Sequence, residues 1–77
     1  MRHYVKFLAK LQPALQARLL QVVEDILSGR MDGLDVKKLK GTTDTFRVRV
    51  GNVRIVYQVA DDAYYLVDIT FRKDAYR

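Results

Sequence analysis

The chain has no cysteine, no tryptophan, one histidine, one proline and four glycines in 77 residues. Without cysteine there is no disulfide, no thiolate nucleophile and no cysteine zinc site, and one histidine cannot form a histidine metal cluster within a single chain. No metal and no cofactor are expected. No apolar run approaches the roughly 20 residues of a membrane span, and the N-terminus lacks the order of a signal peptide. A soluble, cytoplasmic protein is therefore expected, with no membrane as its partner.

What is present fits one small domain, residues 1–77. At such a length folding buries only roughly 60% of the unfolded surface, so a single core is barely sufficient. The apolar share of 49% is ordinary for a globular chain and argues against disorder. Fourteen basic side chains against nine acidic ones leave a formal net charge of +5. That balance suits nucleic acid, an acidic protein or an anionic membrane surface, without choosing among them. There is no repeat and no low-complexity segment.

The most informative run is Phe46-Arg47-Val48-Arg49-Val50-Gly51-Asn52-Val53-Arg54-Ile55-Val56-Tyr57. Apolar and polar residues alternate with the period of a half-buried strand, and Gly51-Asn52 supplies a two-residue hairpin turn. That turn pairs Val50 with Val53 and sets Arg49 opposite Arg54, with Arg47 further along the same face. Like charges directly opposite on a sheet repel, by up to about 1 kcal/mol per pair. An external anion would relieve the repulsion, and arginine's planar, permanently charged fork suits phosphate. An anion site is thus favoured over a merely solvated arginine-rich face.

Around this hairpin the pattern is α+β. Tyr4, Val5, Leu8 and Leu11 follow helical spacing, with Arg2, Lys6 and Lys10 on the other side. Pro13 interrupts that helix and starts a second, whose apolar stripe is Leu15, Leu19, Val22, Val23 and Ile26 and whose end falls near Ser28-Gly29. The stripes read as core facing a sheet; a membrane-surface role for the first segment is unnecessary when a sheet is available. His3 reads as a surface residue rather than a catalyst.

Residues Arg30 to Thr45 read as a connector, anchored by Leu34, Val36 and Leu39. Its basic cluster Lys37-Lys38-Leu39-Lys40 is either a solvated patch or an extension of a phosphate-binding surface, and the sequence favours neither. Strands are expected at Thr45 to Val50, Val53 to Ala60 and Tyr64 to Phe71. A two-residue turn at Asp61-Asp62 would bury Asp68, whereas a three-residue loop through Ala63 pairs Tyr57 with Val67 and Ile55 with Ile69 and keeps the core apolar. The three-residue loop is the expectation, and it places Asp68, Thr70 and Arg72 on the arginine face.

Three ordered blocks, Lys38-Leu39-Lys40-Gly41, Phe46 to Tyr57, and Arg72-Lys73-Asp74-Ala75-Tyr76, resemble the RelE/ParE superfamily of bacterial and archaeal toxins over roughly Lys6 to Arg77. The resemblance implies a type II toxin-antitoxin toxin held inactive by a cognate antitoxin. RelE-like members cut mRNA on the ribosome; ParE-like members poison DNA gyrase. The RelE-like branch is favoured, with a ParE-like gyrase poison or a degenerate antitoxin-binding member as alternatives. No small-molecule ligand is expected.

The implied fold is an N-terminal two-helix hairpin packed on one face of a three-stranded antiparallel meander. Members usually open with a strand before the first helix. Helical pattern here begins almost at Met1, so that strand is expected to be absent and a sheet edge exposed. Carried over residue by residue, Arg47 and Arg49 match basic positions around the scissile phosphate, Arg54 an arginine of the same site, Tyr76 a C-terminal tyrosine, and Arg72 an arginine of the terminal motif. Thr70 stands where the best-known RelE members carry a further arginine, a departure that Arg72 or Arg77 would have to fill. The expected catalytic set is Arg54, Arg72 and Tyr76, and the RNA-binding set is Arg47, Arg49, Lys38, Lys40 and Arg77. With no histidine or carboxylate pair for acid and base work, positioning and charge would carry catalysis, and the RNA's own 2′-hydroxyl would attack.

Overall fold

The computed structural model of the protein describes residues 3–71. Two helices, α1 (His3–Ala9) and α2 (Pro13–Leu27), precede four strands: β1 (Asp35–Lys38), β2 (Thr45–Val50), β3 (Val53–Ala60) and β4 (Ala63–Phe71). The helices form where the apolar spacing places them. Between them Gln12 is extended, with φ −61° and ψ 147°, as the ring of a following proline requires. Pro13 then opens α2, where its missing N–H costs nothing.

At its far end α2 closes in a Schellman motif: the Gly29 amide donates to the Ile26 carbonyl (3.0 Å) and the Arg30 amide to the Asp25 carbonyl (2.8 Å). Gly29 takes φ +78°, and a Cβ there would meet Tyr64 Cε2 at 3.2 Å. Both conformation and space therefore call for glycine. Gln16 Nε2 donates to the Leu8 carbonyl at 3.1 Å, tying the first turn of α2 to the end of α1.

The sheet runs β1-β2-β3-β4, with every neighbouring pair antiparallel. The expected three-stranded sheet is thus corrected to four strands, because part of the connector is itself a strand. Asp35, Val36, Lys37 and Lys38 pair with Arg49, Val48, Arg47 and Phe46. With one apolar residue in four, this stretch carries too little alternation to announce itself. It is held by ladder bonds to a neighbour that the sequence does not place beside it. Among the described residues, β1 and β4 form the two edges.

One face of the sheet and the helices share the core. Leu19, Val22 and Ile26 of α2 are buried together with Val48, Val50, Val53, Ile55, Tyr57 and Ile69 of the sheet. Burying each large aliphatic side chain contributes about 1.5–3 kcal/mol. Phe7, Leu8 and Leu11 of the first helical segment pack against this cluster, and the Phe7 ring meets Phe71 edge-on at 4.9 Å. Val5, expected in the apolar stripe, is instead 41% exposed.

The β2–β3 hairpin has the expected register, Val50 opposite Val53 and Arg49 opposite Arg54. Gly51 alone has positive φ, 58°, as the first residue of a type II′ turn does. The β3–β4 hairpin corrects the expected loop. Ala60 pairs with Ala63, so the turn has two residues; Asp61 and Asp62 take φ 51° and 63°, the signature of type I′. Asp68 nevertheless escapes the core. Tyr57 pairs with Leu66 but Val56 pairs with Asp68, leaving Val67 as the extra residue of a β-bulge. The bulge shifts the alternation by one, restores Ile55 opposite Ile69, and keeps Asp68 and Thr70 on the arginine face.

Candidate nucleic-acid interface

On the sheet face away from the helices, the register assembles two rows of side chains. One runs Asp35, Arg49, Arg54, Thr70; the next runs Lys37, Arg47, Val56, Asp68. Beside these rows lies a cleft of about 420 Å³ lined by Lys37, Lys38, Leu39, Lys40, Arg47, Arg49 and Arg54. All but the leucine are cations, and no acidic side chain lines the cleft.

The lysine wall is placed by the loop after β1. The Leu39 amide donates to the Thr45 carbonyl (2.9 Å), extending the β1–β2 ladder by one bond, and the Thr42 amide donates to the Leu39 carbonyl (3.2 Å). Thr42 Oγ1 lies 2.7 Å from the Leu39 carbonyl and 3.1 Å from that of Thr45. Asp44 pins the loop to β3, accepting from Gln58 Nε2 at 3.1 Å through its carboxylate and from the Val59 amide at 2.9 Å through its carbonyl. Lys40 is thereby carried on a short, cross-bonded loop.

The arginine wall is less uniform than its sequence. Arg47 is buried, at 7% exposure, and its guanidinium reaches β1. Its Nη1 donates to the Asp35 carbonyl at 3.0 Å and lies 3.3 Å from the Asp35 carboxylate. Arg49 is half-buried, and its Nε is enclosed with no hydrogen-bond partner among the described residues. Arg54 is half-buried directly opposite Arg49.

Such a surface can hold a chain of phosphates: cations on two walls of one cleft, with the arginines partly desolvated. Its lining contains neither carboxylate nor imidazole, so it offers no ordinary general base. Among the described residues no cluster of three or more histidine, aspartate or glutamate side chains is placed to hold a metal ion. Nor is any helix long and apolar enough to cross a membrane.

Of the residues singled out from sequence, Lys38, Lys40, Arg47, Arg49 and Arg54 come together in this cleft. Arg72, Tyr76 and Arg77 lie outside the described residues. Asp35, opposite Arg49, escaped the sequence reading, and Lys37, read there only as part of the basic cluster, proves to lie directly opposite Arg47. The only signal was the brief alternation Asp35-Val36-Lys37, which places both on the arginine face once the segment is recognised as a strand.

Two helices on one face of an antiparallel sheet and a cationic cleft on the other define a small α+β toxin domain of the RelE/ParE kind. The family described as ParE toxin of type II toxin-antitoxin system, parDE, matches residues 1–76, and the chain belongs to it. It is 30% identical over 76 residues to Toxin RelE3 of Methanocaldococcus jannaschii, covering 95% of this chain and 86% of that protein. It also superposes on a chain of the crystal structure of a RelB-RelE antitoxin-toxin complex from Methanococcus jannaschii. That match has a TM-score of 0.80 and 28% identity, and covers 99% of this chain and 92% of the other.

Proposed function

We propose that this toxin is an endoribonuclease that inhibits translation by cutting mRNA on the ribosome, in the cytoplasm, with the cationic cleft as its RNA site. The observation that carries this reading is the lining itself: six cations from two walls and no acid. Relatives named RelE support the branch. In this reading Arg54 stabilises charge at the scissile phosphate, with Arg72 and Tyr76 completing the catalytic set from the C-terminal segment. Arg47, Arg49, Lys38, Lys40 and Arg77 hold neighbouring phosphates.

The RNA 2′-oxygen attacks phosphorus as its proton leaves, the bond to the 5′-oxygen breaks, and that oxygen departs protonated. The products are a 2′,3′-cyclic phosphate and a 5′-hydroxyl. Arginine, with a pKa of about 12 or higher, is a poor base, so the chain contributes charge and position. The ribosome supplies the alignment of the RNA. A cognate antitoxin keeps the cleft covered, as befits a protein whose structural relative was solved in an antitoxin-toxin complex.

Cell-free translation with mapped mRNA ends tests this directly. The toxin should produce cleavage within translated message, and Arg54→Ala should lower the cutting by at least about a hundredfold, the scale for removing a main transition-state contact. Intact messages at adequate toxin concentration sink the nuclease reading, and undiminished cutting by the variant sinks the role of Arg54. The family's ParE description favours a second reading, in which the same surface binds DNA gyrase without chemistry. Loss of gyrase supercoiling with translation intact would identify it.

A further inference from the structure

We infer that Asp35 is a built-in counter-anion of the cleft, a residue that competes with an incoming phosphate for Arg47 and so sets how tightly the site takes a phosphate chain. The inference rests on the anion-binding reading of the cleft given above. Asp35 opens β1, and the register sets it opposite Arg49. Its carboxylate turns instead to Arg47, 3.3 Å from Nη1, while its own carbonyl accepts from the same nitrogen at 3.0 Å.

The two partners differ sharply in freedom. The Arg47 side chain is 8% exposed and the Asp35 side chain 58%. The guanidinium is buried and tethered to the edge strand by a backbone carbonyl, whose bond does not depend on the carboxylate. The carboxylate lies at the rim and can rotate into water. A phosphate reaching Arg47 therefore meets a cation that already has an anion, and it gains that contact by displacing Asp35. Asp35 itself is not among the residues that line the cleft, so it acts there through Arg47. Asp35 is thus placed to modulate the site through Arg47, and an ion pair whose carboxylate stands largely in water has the modest strength that permits displacement.

The test is binding of a short 2′-O-methyl oligonucleotide, which cannot be cut through a 2′-hydroxyl, to the full-length toxin across a salt series. Asp35→Asn keeps the carbonyl tether and the side-chain shape while removing the charge. It should bind about two- to fivefold more tightly at low salt, the range of a partly exposed ion pair. The slope of log affinity against log salt should steepen by about 0.7, one further phosphate contact on a single strand. Asp35→Glu, which restores the competitor, should return towards wild type. Asp62→Asn makes the same net-charge change in the distant β3–β4 turn, and it should leave the slope unchanged.

Wild-type binding that depends on salt, combined with an Asp35→Asn variant that is folded by thermal melting but binds no more tightly, would overturn the counter-anion role while leaving the anion site standing. An equal gain from Asp62→Asn would also overturn it, since net charge alone would then account for the effect. Wild-type protein with no salt-dependent binding at all overturns the anion-binding reading and this inference with it.

Discussion

Arg47 and Arg49 stand two residues apart on β2, each between apolar neighbours in the same alternation, yet they differ in surroundings. Arg47 is buried and tied to Asp35 of β1, whereas the Nε of Arg49 is enclosed with no hydrogen-bond partner among the described residues. Their identity as face-sharing cations was legible from a period of two; their inequality was not, because it depends on which residue of another strand lies across from each. On the opposite face Tyr57 presents a similar case. It is 3% exposed, stacked on Phe46 at 5.3 Å and tilted against Tyr64 at 6.1 Å. Burial, and then the neighbouring Tyr64, raise its pKa. The folded state thus resists ionisation that the unfolded chain undergoes near pH ~10. Stability from this group is fully present below that pH and falls as pH climbs through the window above it, where the unfolded state binds fewer protons. Denaturant titrations between about pH 9 and 11 should show a steeper loss for wild type than for Tyr57→Phe. Parallel losses would mean that Tyr57 ionises equally easily in both states.

At the scale of elements, the helices and the first hairpin were readable because each carries its own punctuation. Pro13 starts a helix, Gly29 ends one, and Gly51-Asn52 turns a strand within the span of the element itself. β1 was not readable, since four residues with a single apolar member take strand form only from bonds to β2. The second hairpin shows a subtler limit. Parity arguments from the turn onward assume an unbroken ladder, and Val67 breaks it. A tight turn and an apolar core, which exclude each other in a regular ladder, coexist because the bulge resets the alternation. Two aspartates hold positive φ in that turn, at positions where the Asn-Gly pair is preferred. Replacing Asp61-Asp62 by Asn-Gly should therefore stabilise the protein by about 0.5–1 kcal/mol, measured as a higher urea midpoint at unchanged slope. A loss of stability would argue that the turn is not of type I′.

For the molecule as a whole, a net charge of +5 with six cations lining one cleft implies a partner that arrives along a field. The antitoxin should be acidic in the segment that crosses the sheet, and should associate at a rate that falls steeply with salt. Hydrogen exchange on the purified complex checks this: protection is expected across β2 and β3, and an antitoxin that leaves Arg47, Arg49 and Arg54 uncovered would count against direct masking. The two helices, the arginine hairpin and the family are fixed within the sequence, because they rest on short-range periodicity, local turn chemistry and ordered motif blocks. It is packing in three dimensions that brings Lys37 and Asp35 to the arginines on a fourth strand, keeps Asp68 out of the core through a bulge, and sets the Asp35 carboxylate beside Arg47. Those outcomes depend on cross-strand register, which is set by contacts between segments far apart in the chain and leaves little trace in either segment alone.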